Sequence, residues 1–179
     1  MRDLSQYDGL RPLIKTGDLI EFASNGIIGR SIMAVTRKPV SHSAIVVRLP
    51  YVNSPRRFIV EAVRTGLEFQ LLSDVLQHYD GSVIWYGLKK EYDSKRDELG
   101  DWVFNELSQH KHYDFGGVVA QLWGRVSLDS RKYYCSEVID AAYIEAGIIK
   151  PDPAGARRPG DFIPLGIFDS QAHLWGEQG

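Results

Sequence analysis

The chain has a single cysteine, Cys135, at the point where a helix is predicted to begin. The segment from Cys135 to Ala146 places apolar residues on one helical face, and Gly147 supplies a C-terminal stop. The first turn of a helix offers unpaired N–H groups and the positive end of the helix dipole, which stabilise a thiolate. Together with a protonated imidazole, such a position lowers a thiol pKa from about 8.5 to roughly 3.5–7.5. Cys135 is therefore a candidate nucleophile, and a buried packing thiol is the alternative.

His42 is the candidate general base. In the predicted strand Ser41–Leu49 it shares a face with Ala44 and Val46, where a polar ring is out of pattern unless it is paired. A core histidine with satisfied hydrogen bonds explains the pattern equally well. The other four histidines compete for this role: His78, His110, His112 and His173.

Glu61 is the candidate third member of the site. It lies on the same strand face as Ile59 and Val63, where an ionised carboxylate is costly without a partner. A carboxylate that accepts the Nδ1 proton of a histidine fixes the tautomer and stabilises the imidazolium. The alternative is a solvent-exposed glutamate at a strand edge, and the competitors are Glu68 and Glu137.

The spacing of possible ligand residues gives little support for a metal or cofactor site. His110 and His112 could chelate a cation, but no Cys or Asp/Glu cluster at zinc spacing accompanies them. We therefore predict no metal and no cofactor.

The coarse secondary structure changes character along the chain. Short β-rich segments separated by turns predict an antiparallel sheet in the first half; they are 17–22, 41–49, 58–63, 67–72 and 82–87, with Thr65-Gly66 as a hairpin turn. Apolar residues at helical spacing predict helices at 24–36, 99–107, 114–123 and 135–146. The Pro- and Gly-containing stretch 151–160 predicts a loop.

Length and charge narrow the classes of function. At 179 residues the chain is about one domain long, so a single domain over 1–179 is expected. A net charge of −2 lacks the positive field that gathers nucleic acid, and one cysteine forms no intrachain disulfide. No signal peptide and no apolar stretch of membrane-spanning length is visible, so we expect a cytoplasmic protein without an integral membrane segment.

The combination resembles the circularly permuted branch of the NlpC-type papain-like superfamily, including its YiiX-type members. The similar stretches are GDLIEF at 17–22, SHSAIVV at 41–47, FIVEAVRTGLE at 58–68, YDFGG at 113–117 and YYCSEVIDAAYIEAG at 133–147. In that branch a strand histidine and an acidic residue precede a cysteine on a helix, which matches the order His42, Glu61, Cys135. The resemblance implies an α+β, permuted papain-like fold with a small antiparallel sheet packed against helices.

The resemblance also implies a cysteine peptidase or amidase that uses Cys135, His42 and Glu61 as a triad, forms an acyl-enzyme, and meets the oxyanion partly with the backbone amide of Cys135. The expected partner is a peptide, a peptidoglycan fragment or a lipid-type acyl compound. Two alternatives stay open: a non-catalytic papain-like binding module, and an acyltransferase like the lecithin:retinol acyltransferase group.

The loops 27–37, 121–132 and 151–160 are expected to select the substrate. Four arginines in these loops would suit an acidic or carboxylate-bearing substrate: Arg125, Arg131, Arg157 and Arg158. An ordinary solvated face is the simpler interpretation.

Overall fold

The computed structural model of the chain describes residues 2–49, 56–63, 66–108 and 134–176. The strands are β1 (Leu19–Ser24), β2 (His42–Val47), β3 (Phe58–Val63), β4 (Gly66–Leu71), β5 (Gly81–Leu88) and β6 (Phe168–Trp175). The α-helices are α1 (Ser5–Leu10), α2 (Ile27–Thr36), α3 (Leu72–His78), α4 (Arg96–Ser108) and α5 (Tyr134–Glu145). Two short 3₁₀ helices cover Lys90–Lys95 and Ile163–Leu165.

All six strands form one antiparallel sheet in the order β4-β3-β2-β1-β5-β6. β1 and β2 are central strands, and both are rich in β-branched and large apolar residues, which pack well on a pleated surface. The fold is therefore α+β, with helices on both faces of an antiparallel sheet.

Each face of the sheet has its own hydrophobic core, because side chains alternate along a strand. On one face Ile45 and Val60 pack against Ile139 and Ala142 of α5 and Leu99 of α4. We call this the α5 face. On the opposite face apolar residues of β1, β2 and β3 pack with α1 and α3: Tyr7, Ile20, Phe22, Ala44, Val46, Ile59, Leu72 and Leu76. We call this the α3 face.

The predicted antiparallel sheet is confirmed, as is the hairpin that joins β3 and β4. The predicted helices at 24–36, 99–107 and 135–146 correspond to α2, α4 and α5, and 151–160 has no helix or strand. The helix predicted at 114–123 lies outside the described residues. Three elements were missed: α1, α3 and β6.

No helix in the described ranges is both long enough and apolar enough to cross a bilayer.

Candidate functional site

Two polar side chains meet on the α3 face near the start of β2. His42 Nε2 contacts Glu61 Oε2 directly. The Glu61 side chain is 11% exposed and that of His42 is 26% exposed, so the pair lies at the protein surface with its carboxylate mostly covered. A carboxylate in this position orients the imidazole ring and stabilises its protonated form.

The strand register explains why these residues meet. β2 and β3 pair antiparallel with Ile45 opposite Val60, so one step further Ala44 stands opposite Glu61. His42 is two residues from Ala44 and therefore shares its face. This places His42 and Glu61 diagonally on adjacent strands, a separation that long side chains bridge. The sequence analysis expected the carboxylate on Nδ1, whereas the structure pairs it with Nε2.

Gln70 holds the other oxygen of Glu61. Its Nε2 donates to Glu61 Oε1 at 2.8 Å and to Glu68 Oε2 at 2.9 Å. Glu61 and Glu68 are directly paired on β3 and β4, and like charges in that relation repel. The Gln70 amide lies between them and leaves Glu61 with a fixed geometry toward His42.

Aromatic rings enclose the histidine on its inner side. The ring centroid of Phe22 lies 5.4 Å from that of His42 and 5.0 Å from that of Tyr79. Burial raises the pKa of Tyr79, and the charge of Glu61 adds to this, although hydrogen bonds with Ser24 and Ser41 oppose it. Tyr79 therefore stays a neutral hydroxyl beside the His42–Glu61 pair.

A second carboxyl, Glu21, is fully buried at the same end of the sheet but on the α5 face. Ser43 Oγ donates to its Oε2 at 2.7 Å, and the Gly160 backbone N–H donates to its Oε1 at 3.0 Å. Burial raises the pKa of Glu21 to about 7, while these two donors and the charge of His42 oppose the rise and Asp161 adds to it. The sequence analysis noted Glu21 only as a polar member of its strand. The available signal was its alternation with Leu19, an apolar neighbour on the same face.

Cys135 is the second residue of α5. The structure describes the backbone there and not the side chain, so it gives no distance from the thiol to His42. The body of α5 packs across β2 and β3 through Ile139 and Ala142. Towards its C-terminal end, Tyr143 Oη donates to the Gly17 carbonyl at 2.8 Å, ahead of the start of β1.

The competing residues have other surroundings. His78 is exposed and its Nδ1 contacts the Asp74 carbonyl within α3. His173 lies on β6, which is separated from β2 by β1 and β5. Burial raises the pKa of Glu137 on α5, and Asp140 adds to this. His110 and His112 lie outside the described residues.

One of the arginines expected on a solvated face has a structural partner. Arg157 Nη1 lies 2.6 Å from Asp140 Oδ1, and both side chains are nearly buried. Arg157 also donates to the Lys150 carbonyl at 3.1 Å. The 151–160 segment is thereby tied to α5. Across the described part of the chain, no three His, Cys, Asp or Glu side chains are grouped as a metal site requires.

Comparison with known families gives a match over most of the chain. Residues 14–155 match the sequence model of a family described as permuted papain-like amidase enzymes, YaeF/YiiX, C92 family. The matched range contains β1 to β5 and the whole of α5. It therefore includes His42, Glu61 and Cys135. No curated protein matches the chain.

Comparison with solved structures supports the same fold. A crystal structure described as metalloprotein yiiX from Escherichia coli O157:H7 is similar, with a TM-score of 0.54 and 22% sequence identity. The similarity covers 74% of this chain and 66% of that one, just under two thirds of its length. At this identity the likeness is one of fold.

Proposed function

Because the chain belongs to the permuted papain-like amidase family, we propose that it hydrolyses an amide-type acyl bond with Cys135 as nucleophile, His42 as base and Glu61 as the orienting carboxylate. The observation that carries this proposal is the contact between His42 and Glu61 on adjacent strands. A histidine positioned by a carboxylate is the arrangement that activates a thiol or hydroxyl nucleophile.

The placement of α5 supports the choice of Cys135. Its later turns are anchored beside Gly17, at the end of the sheet opposite His42, and its body lies across β2 and β3. The first turn of α5 is therefore directed toward the end where β2 begins. Position 135 precedes Ile139 by four residues and Ala142 by seven, so it continues the stripe that faces the sheet.

The two faces of the sheet set a condition on this chemistry. His42 projects to the α3 face with Phe22, whereas α5 covers the α5 face. A thiol on α5 reaches the imidazole only around the end of the sheet. His42 satisfies that condition because it is the first residue of β2.

The mechanism follows from the nitrogen that Glu61 occupies. With Nε2 bound to Glu61, Nδ1 takes the proton from the Cys135 thiol. The thiolate then attacks the carbonyl carbon, and the imidazolium gives its proton to the leaving amine as the C–N bond breaks. Water, deprotonated at the same nitrogen, cleaves the thioester and regenerates the thiol. The backbone N–H of Cys135 at the start of α5 is the proposed oxyanion donor.

A peptide-type amide, including a peptidoglycan peptide, is the proposed substrate. The family description names amidase chemistry, and leaving-group protonation by an imidazolium suits an amine. The same thiolate would also attack the carbonyl of an ester or a lipid amide and form an acyl-enzyme as the alcohol or amine leaves.

The test is the pH dependence of Cys135 alkylation by iodoacetamide, read by intact mass. We expect fast labelling of the wild type below pH 7, because an imidazolium and a helix N-terminus stabilise the thiolate. His42→Ala should shift the labelling midpoint towards about 8.5, the value of an unassisted thiol. His78→Ala, which removes an exposed histidine, is the matched control and should label like the wild type.

Activity on a set of acyl-amide substrates is measured in parallel. Cys135→Ala should abolish turnover, and His42→Ala should lower it by roughly 10²–10⁴-fold, the usual contribution of general acid–base catalysis. Labelling of the wild type only near pH 8.5, with no effect of His42→Ala, would leave Cys135 as a packing thiol and favour a binding module.

A further inference from the structure

The outer surface of α2 is apolar where a surface helix is normally polar. Ile27 is 86% exposed, Val35 is 70% exposed and Ile28 is 60% exposed. Scattered exposed apolar residues are common, but here three large ones lie on one ten-residue helix. Positions 28 and 35 are seven residues apart and therefore share a side of the helix. We call these three residues the α2 patch.

Close packing on β1 fixes the direction that the patch faces. Gly29 is the buried residue of α2, and a Cβ there would stand 2.3 Å from the Ser24 Cβ. The Gly26 N–H donates to Ser24 Oγ at 3.1 Å, which ties the start of α2 to the end of β1. Since Gly29 faces the sheet, the side of the helix that carries the α2 patch faces outward.

The charges nearest the patch are mostly positive. Arg30, Arg37 and Lys38 lie in or just after α2, while Asp80, which accepts from Asn25 Nδ2 at 3.4 Å, is an acid near its start. Lys38 pairs with Asp161 at 2.7 Å. Arg30 and Arg37 form no ion pair with any described residue. Two arginines thus lie beside the patch in a chain whose net charge is −2.

Arg37 also occupies a backbone conformation that favours glycine. Its φ is 55° and it caps the C-terminus of α2; it is the one non-glycine with positive φ among the described residues. Glycine or asparagine normally fills such a cap because a Cβ there is strained. Arg37 therefore carries a backbone strain at this cap that glycine would avoid.

We propose that the α2 patch, flanked by Arg30 and Arg37, docks on an anionic lipid surface. Exposed isoleucine and valine would enter the boundary between headgroups and acyl chains, and the two guanidinium groups would bind lipid phosphates. Docking would hold the sheet end that carries His42 against the bilayer, since α2 connects β1 to β2 there. This docking is independent of whether Cys135 is catalytic.

The test uses the full chain with vesicles of phosphatidylcholine alone and of phosphatidylcholine with phosphatidylglycerol, and flotation as the readout. The wild type should float with the anionic vesicles, and high salt should weaken the binding. The triple serine variant, Ile27→Ser with Ile28→Ser and Val35→Ser, should lower the binding constant at least about tenfold, because the buried apolar area is lost. The charge variant Arg30→Gln with Arg37→Gln should lower it about fivefold per charge.

A matched control alters one exposed apolar residue and one exposed cation elsewhere, Leu13→Ser with Lys90→Gln, and should float like the wild type. Because the charge variant leaves the apolar residues in place, it tests the proposal even if the triple serine variant does not fold.

Three results would overturn the proposal: a wild type that binds neither vesicle, binding that is equal on neutral and anionic vesicles, or binding that survives both variants. A fourth result would also overturn it, and the molecular mass of the protein in solution without lipid reveals it. A wild-type dimer that the serine variant converts to monomer would show that a second copy covers the α2 patch.

Discussion

β1 has two buried carboxyl groups with opposite surroundings. Asp18, just ahead of β1, accepts hydrogen bonds from Arg96 Nη1 at 2.7 Å, Trp85 Nε1 at 2.8 Å and the backbone N–H of Lys15 at 2.8 Å and Leu88 at 3.1 Å. We call this position the paired end of β1. Glu21, the third residue of β1, lies on the side towards His42, and among the described residues it accepts only from the Ser43 hydroxyl and the Gly160 N–H. We call this position, which has no cation in hydrogen-bond contact among those residues, the unpaired end.

This difference separates a structural site from one that can exchange protons. Burial raises the pKa of Asp18 too, but Arg96 and the other donors oppose that rise and fix the geometry of the chain around the carboxylate. A buried carboxyl bonded only to neutral donors has its pKa raised by burial, to about 7 for Glu21. Glu21 is also close enough to His42 for its charge to matter. The buried carboxyl nearer the candidate site, Glu21, is thus the one whose protonation changes near neutral pH.

The largest expected effect is at the paired end. Asp18→Asn keeps the shape but removes the buried carboxylate that binds Arg96, whose remaining carboxylate partner, Asp93, is partly exposed. Breaking a buried pair from one side costs about 3–5 kcal/mol of unfolding free energy. Urea denaturation at pH 7 measures the loss, with alkylation of Cys135 as a second readout that should keep its pH profile.

Asp93→Asn is the control for that variant, because Asp93 binds the same arginine at 2.7 Å with its side chain 35% exposed. A partly exposed pair contributes at most about 1 kcal/mol. If the two variants lost equal stability, the paired end of β1 would not be the structural anchor that its contacts indicate.

The sequence predicted most of the strands, but it did not predict which residues their buried polar side chains contact. Short apolar segments bounded by turn residues, GDLIEF and SHSAIVV, predicted β1 and β2. The out-of-pattern His42 and Glu61 indicated a pair because a polar residue on an apolar strand face needs a partner. Glu21 was missed since its two partners, Ser43 and Gly160, come from a neighbouring strand and a loop 139 residues away. β6 was missed because its alternation is interrupted by Asp169 and Ser170 at a strand edge. Nothing local encodes such contacts.

The second prediction concerns the unpaired end and is a dependence on pH. With a pKa of about 7 in the folded protein and an ordinary value when unfolded, Glu21 binds its proton more tightly in the folded state. The wild type therefore loses stability as pH rises from about 4.5 to about 7, and the loss stops above that range. Glu21→Gln removes this titration, so the variant should gain about 3 kcal/mol relative to the wild type across the interval.

Urea denaturation of both proteins from pH 4 to pH 8 measures this difference. Titrations of His42 and Asp161, the charged groups facing Glu21, occur in both proteins and largely cancel. A difference that stays constant with pH would mean that Glu21 has the same pKa in the folded and unfolded states. The contrast between the two ends of β1 would then rest on hydrogen bonding alone.

The smallest expected effect concerns the two neighbouring carboxylates beside His42 and the amide that lies between them. Gln70→Ala removes the amide between Glu61 and Glu68, so their repulsion turns Glu61 away from His42. We expect alkylation of Cys135 near pH 6.5 to slow about fivefold, corresponding to about 1 kcal/mol, the usual worth of one hydrogen bond. Adding Glu68→Gln should restore the rate, because it removes the repelling charge. A loss that this second change does not restore would mean that Gln70 acts through packing, and the carboxylate network would then end at the His42–Glu61 pair.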